Sequence, residues 1–155
     1  PIETITGYVG AATTKSIFIG LIILITAKLF IAFDIKHPVW MIIFLFLTSV
    51  SFSLLGFIIG IWASNWEKLN LIPLIVVTPL VFLGGTFYSI SMLPSPWQVI
   101  SKFNPVLYLV SGFRWSFFGE ADVHILTSSL SVITFIGICS GVVFFIFKTG
   151  YKLRE

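Results

Sequence analysis

Two charges, Lys102 and Arg114, interrupt an otherwise uncharged stretch from Thr78 to Arg114, TPLVFLGGTFYSISMLPSPWQVISKFNPVLYLVSGFR. A guanidinium at a bilayer centre costs about 2.5–3.5 kcal/mol on insertion scales, and much less near an interface. Arg114 therefore has two readings: an interfacial anchor beside Trp115, or a polar contact point at the mouth of a pathway. Tyr108 and Trp97 are similarly placed aromatics, suited to an interface. Enzyme chemistry has no evident carriers. His37 and His124 are isolated from each other, and there is no HExxH or cysteine cluster to hold a metal. No GxxxxGK[ST] loop is present to cradle ATP phosphates, so no cofactor is expected. The acidic residues Glu3, Asp34, Glu67, Glu120, Asp122 and Glu155 avoid the middles of the apolar runs, which leaves a proton relay without members.

The elements that must position these residues are apolar. The 155 residues are 57% hydrophobic and 10% charged, with 17 phenylalanines. A globular domain carries about 25% charged residues, so the composition points to a chain dissolved in lipid. The net charge of +3 reports topology and not nucleic acid, because the basic residues sit at the ends of apolar runs and form no stripe. Cys139 lies inside an apolar segment and has no second cysteine to pair with. There is no signal-peptide pattern, and the chain opens on Pro1, which suggests a fragment of a longer protein.

A spanning helix needs roughly 20 apolar residues. Four segments qualify, at about 12–33, 39–63, 71–90 and 125–147. The expected fold is thus all-α, a polytopic membrane helix bundle forming one transmembrane domain. The tail KTGYKLRE carries Lys148, Lys152 and Arg154, which places the C-terminus in the cytoplasm. Four crossings then place the N-terminus there too, with Lys15, Lys68 and the short Glu67-Lys68 loop. Gly56 with Gly60, and Gly137 with Gly141, are small pairs at helical spacing that would let another helix backbone approach. Pro73 and Pro79 interrupt the third span. Pro79 would bend it, and Pro73 either bends it or occupies a first turn.

Residues 91–119 are too long for a tight turn and too apolar for a solvated loop. Two short helices fit. One has Ser95 as N-cap and Pro96 at its first position. The other has Asn104 as N-cap, Pro105 first and Gly119 as its C-terminal stop. About 14 residues at 1.5 Å each give about 21 Å, short of the roughly 30 Å hydrocarbon core. Such a helix cannot cross, so a re-entrant hairpin is expected, entering and leaving on the outer side.

These residues resemble the signature of the ABC-2 family of membrane permeases. Leu83-Gly84 leads through Thr86 and six residues to Leu93-Pro94; ten further residues precede Pro105, then come Tyr108 and, after a gap of five, Arg114. Thr86 and Val106 depart from the pattern. The segment from His37 to Glu67 is also similar to the family, notably in the run FSLLGFIIGIWASNWEK that ends at Lys68. The resemblance implies a permease subunit of an exporter of lipids, polysaccharides or drugs in a bacterial inner membrane. It implies six spans per subunit, a homodimer, and a pair of ATPase subunits that supply the energy. The four spans here would be the third to sixth, and residues 1–10 the end of a coupling loop. On this reading Gly84 and Gly85 form a flexible or close-packed joint, and Asn104 and Pro105 the hairpin tip. Tyr108 and Arg114 are gate or anchoring groups, and Glu67 and Lys68 a contact for the ATPase. A non-transporting anchoring or assembly subunit is the alternative reading of the same spans.

Overall fold

The computed structural model describes residues 2–150. Lys152 and Arg154, used above for topology, and Pro1 lie outside the described residues. The helices run α1 (Ile2–Phe30), α2 (Pro38–Trp62), α3 (Trp66–Leu83), α4 (Ser95–Lys102), α5 (Pro105–Phe118) and α6 (Ile125–Thr149), with a 3-10 turn at Ile90–Met92. No strand occurs among the described residues. By length and composition, α1, α2, α3 and α6 are the four helices able to cross a membrane. The fold is an all-α polytopic bundle.

α2 is the centre of the bundle and packs against α1, α3, α5 and α6. Its Phe44 is fully buried, and Met41 and Leu54 nearly so. At the far end from the α4–α5 pair, Leu54 joins Cys139 and Val143 of α6 in an apolar cluster that Ile5 and Val9 of α1 complete. Ser51 is fully buried and donates to the Leu47 carbonyl at 2.7 Å, which removes its polar group from the apolar interior. Thr13 of α1 donates to Ser53 of α2 at 3.3 Å. Such interhelical bonds are worth about 0.6 kcal/mol in membrane bundles.

Several boundaries differ from the sequence expectation. α1 begins about ten residues before the span expected at 12–33, so residues 2–10 are helix and not the end of a loop. The cause is packing: Ile5 and Val9, four apart, face the Leu54 cluster, and Glu3 in the first turn favours the helix dipole. Lys15 consequently sits mid-helix. α3 begins at Trp66 and not near residue 71, because Asn65 caps it by accepting from the Lys68 N–H at 3.0 Å. Pro73 is therefore interior and not a first-turn proline, and Glu67 and Lys68 belong to the first turn of α3 and not to a loop. α3 stops at Leu83, seven residues before the expected end at residue 90, where Gly84 and Gly85 follow and Gly85 takes φ +78°. α4 starts at Ser95, with Pro94 in the cap position expected for Ser95.

Candidate functional site

The site is assembled where α3 ends, α5 ends and the loop into α6 begins. α5 forms because Asn104 caps it and Pro105 opens it. The Asn104 side chain accepts from the Val106 N–H at 2.9 Å, and Gly119 closes the helix in the left-handed conformation at φ +75°. Both signals were legible in the sequence. The 14-residue helix is about 21 Å long at 1.5 Å per residue. It packs between α2 and α6 with α3 alongside. Leu107, Ser111 and Ser116 are fully buried, and Val106 and Leu109 nearly so. A helix too short to span is thus held inside a bundle of helices that are long enough.

α5 fits because its inner face is small. A Cβ added at Gly112 would overlap the ring of Phe44. Gly112 and Ser116, four apart, let α2 and α5 approach as small-residue pairs do in membrane helices. The sequence reading passed over this pair in favour of the Gly56 and Gly137 motifs. Within the described residues the close approach falls at Gly112. Gly56, Gly60, Gly137 and Gly141 have nothing within 4 Å of an added Cβ, because α2 and α6 turn other faces to their neighbours. Gly56 and Gly60 instead line an open groove of about 510 Å³ with Tyr8 and Phe57.

The segment before α2 closes the end of α5. His37 N–H donates to the Ser116 carbonyl at 2.9 Å, and Lys36 N–H to the Phe117 carbonyl at 3.3 Å. These satisfy terminal carbonyls that α5 cannot satisfy itself. The imidazole of His37 stacks on Trp115 at 4.1 Å and 10°, and Trp40 meets Trp115 edge-on at 5.9 Å and 90°.

Arg114 is the hub. Its Nη1 donates to Asp122 Oδ2 at 2.5 Å. Its Nη2 donates to the Gly85 carbonyl at 2.6 Å and to the Tyr88 carbonyl at 3.4 Å. Asp122 also accepts from the Ser89 hydroxyl. Next to this cluster, Ser111 Oγ accepts from the Val123 N–H at 3.0 Å. One guanidinium therefore ties the end of α3, the following turn and the loop into α6 to α5. The fork geometry of arginine suits this, since separate N–H groups serve separate acceptors. The side chains of Arg114 and Asp122 are 25% and 13% exposed, so the pair is partly desolvated and stronger than a surface ion pair. The sequence reading gave Arg114 an anchoring or contact role and missed Asp122 and Ser89. An acid eight residues on, in the short polar loop after Gly119, was the available signal.

The glycine pair sits beneath this hub. An added Cβ at Gly84 would lie 2.8 Å from Val106 Cγ1 and 2.9 Å from the Leu80 carbonyl. Asn104 Nδ2 donates to that carbonyl at 2.6 Å. α3 and α5 thus touch at Gly84–Val106 and Leu80–Asn104. Tyr108 lies on another face of α5, and its hydroxyl donates to the Lys102 carbonyl at 2.7 Å. The Leu93 carbonyl accepts from Gln98 at 2.8 Å, and Pro94 precedes α4. The structure brings Gly84, Gly85, Asn104 and Arg114 to the α3–α5 contact, whereas Pro105 opens α5 on the side that faces α6. It leaves Leu93, Pro94 and Tyr108 around its edge. Glu67 and Lys68 are remote, exposed at the other end of α3, where Lys68 Nζ donates to Ser64 at 2.8 Å.

Comparison with known proteins identifies the family. The family model described as ABC-2 type transporter matches residues 1–118. The "Inner membrane transport permease YadH" of Escherichia coli (strain K12) is 39% identical over 132 residues, covering 85% of this chain and 52% of the relative. The "Nodulation protein J" of Rhizobium meliloti (strain 1021) is 27% identical over 79 residues, covering 51% of this chain and 30% of the relative. The chain spans about half the length of the YadH relatives it matches. No solved structure matches it. The match over three quarters of the chain, through the Gly84–Arg114 segment that builds the clasp, places it in the ABC-2 type transporter family.

Proposed function

We propose that this chain is the membrane-spanning portion of the permease subunit of an ATP-driven exporter in an inner membrane, powered by a separate ATPase subunit. The observation that carries the reading is α5: an apolar helix too short to cross, buried among spanning helices and tied to α3 by Arg114. A helix packed this way can block a path from one side without crossing it. The likeness to YadH, an inner membrane transport permease, supports the location. Lys148 at the end of α6, with the basic tail beyond it, supports cytoplasmic termini and, with them, an outer α4–α5 hairpin.

In this mechanism two copies flank a central path. Partner ATPase subunits move the spans through the cytoplasmic ends, where Glu67 and Lys68 lie. The hairpin is the outer gate, and Gly84 and Gly85 are its joint. The gate is shut when Arg114 holds Asp122 and the Gly85 carbonyl. The substrate is a lipid, polysaccharide or drug-like amphiphile, as the family signature implies.

The test uses the complete transporter with its ATPase partner and a Cys139→Ser background. Ser89→Cys with Asp122→Cys replaces two contacting side chains with thiols. Oxidation is expected to suppress ATP turnover of the complex several-fold, and reduction to restore it. Full turnover with the bond shown to be formed would mean the clasp does not open during the cycle. Purification of the permease without any associated ATP hydrolysis would remove the exporter reading itself.

A further inference from the structure

The corner where α4 turns into α5 lies against the side of α6. Lys102, Phe103, Pro105 and Tyr108 form one wall of a groove of about 400 Å³, and Leu130 to Ile138 of α6 form the other. Leu130 and Ile138 are 5 and 13 residues beyond Ile125, the first residue of α6, which is roughly 8 and 20 Å along that helix. The corner therefore sits well below the end of the bundle, at a level where α6 is otherwise apolar. A lysine at that level is costly unless it meets an anion, a carbonyl or water. Lys102 lies in the last turn of α4, where its charge suits the helix dipole. Yet no ion pair or side-chain hydrogen bond joins its ammonium to any described residue, and no acidic residue lines the groove. Ser131 and Thr134 add hydroxyls to the same wall. The larger groove between α1 and α2, lined by Tyr8, Phe52 and Gly56, has no charged lining and nothing to select an occupant.

We propose that the α4–α6 groove binds an anionic amphiphile, a phospholipid with a net negative headgroup. The phosphate is met by the Lys102 ammonium and the Ser131 hydroxyl. The acyl part lies along Phe103, Leu130 and Phe135. Tyr108 already donates its proton to the Lys102 carbonyl, so its oxygen is left as an acceptor and orients the headgroup through any proton that group carries. Charge complementarity chooses the occupant, and the apolar floor excludes a free inorganic anion. This inference concerns binding and does not require that the occupant be transported.

The complete transporter, in neutral detergent, is titrated with dioleoyl phosphatidylglycerol or dioleoyl phosphatidylcholine and read by native mass spectrometry. Phosphatidylglycerol should be retained preferentially. Lys102→Gln should lower its retention about fivefold, the factor a single lysine contributes at an anionic surface, and leave phosphatidylcholine unchanged. Lys102→Arg should keep the preference. Ser131→Trp, which fills the groove, should lower retention of both lipids. Lys102 is exposed, so Lys102→Gln should elute and melt like the parent complex. Equal phosphatidylglycerol retention by Lys102→Gln and the parent overturns the proposal. So does displacement of the lipid by millimolar inorganic phosphate, which would make the site one for a free anion. Because the readout is lipid mass and not ATP turnover, its failure leaves the exporter reading standing, and failure of that reading leaves the lipid site standing.

Discussion

Arg114 divides its terminal nitrogens among Asp122, Gly85 and Tyr88, and that division sets what each substitution should do. Arg114→Lys has one ammonium, which cannot serve both the Asp122 carboxylate and the Gly85 carbonyl from one position. It should lower stability by about 1–3 kcal/mol, the range for leaving a buried polar group unmet. Arg114→Ala should cost at least as much, because Asp122 then keeps only Ser89. Thermal unfolding of the purified complex reads both, and an Arg114→Lys midpoint equal to the parent's would show that the carbonyl contacts contribute nothing. At Gly112 the argument is steric. Gly112→Leu must displace the ring of Phe44 and should destabilise by about 1–3 kcal/mol from overpacking. Phe44→Ala alone should cost about 3–5 kcal/mol, as large core truncations do. The double variant should cost clearly less than the sum, because the residues share one space. Strict additivity in the unfolding midpoints would mean that they do not meet.

At the level of elements, the start of α5 separates two bonds in one residue. Asn104 caps α5 through its carbonyl oxygen and holds α3 through its amide nitrogen. Asn104→Asp keeps the cap acceptor and turns the donor to Leu80 into an acceptor facing a carbonyl. Asn104→Ala loses both. Amide exchange at Val106 and Leu107 should stay slow in Asn104→Asp and accelerate roughly fivefold in Asn104→Ala, matching a cap worth about 1 kcal/mol. Equal acceleration in both would assign the whole effect to the α3 contact. The bounds of α5 were legible because Asn-Pro and Gly119 are local signals. Those of α1 were not, because Ile5 and Val9 become core only when α2 and α6 are beside them. The early stop of α3 was hidden too. The apolar run continues to residue 90, and the stop depends on Gly85 taking φ +78° and on Thr86 and Tyr88 donating to the Val81 and Phe82 carbonyls. The site divides the same way. Gly84, Asn104 and Arg114 follow the family's spacing, whereas Asp122 joins them only through a fold that brings residues 85, 89 and 122 together.

Across the whole molecule, among the described side chains, α3 has no buried residue and α1 has only Thr13, so most of their apolar surface faces outward from this bundle. In a membrane those faces meet lipid or further helices, and nearly all of the buried apolar core comes from α2, α5 and α6. The placement of α5 between α2 and α6 makes a topological prediction. In a Cys139→Ser background, single cysteines are placed at Phe103, Glu120 and Trp66 of the complete permease in intact cells. A membrane-impermeant maleimide added outside should label position 120 within minutes. Position 66 should react only after the cells are opened. Position 103 should react at least tenfold more slowly than 120 from outside, because the α4–α5 corner lies roughly 8 to 20 Å along α6 from its first residue. If 120 reacts only from inside, the orientation is inverted and the hairpin cannot be an outer gate. If 103 reacts as fast as 120 from outside, the corner is in water and α5 lies on the bundle instead of within it. If 103 and 120 react from opposite sides, α4 and α5 together cross the membrane, and the re-entrant path that links α3 to α6 does not exist.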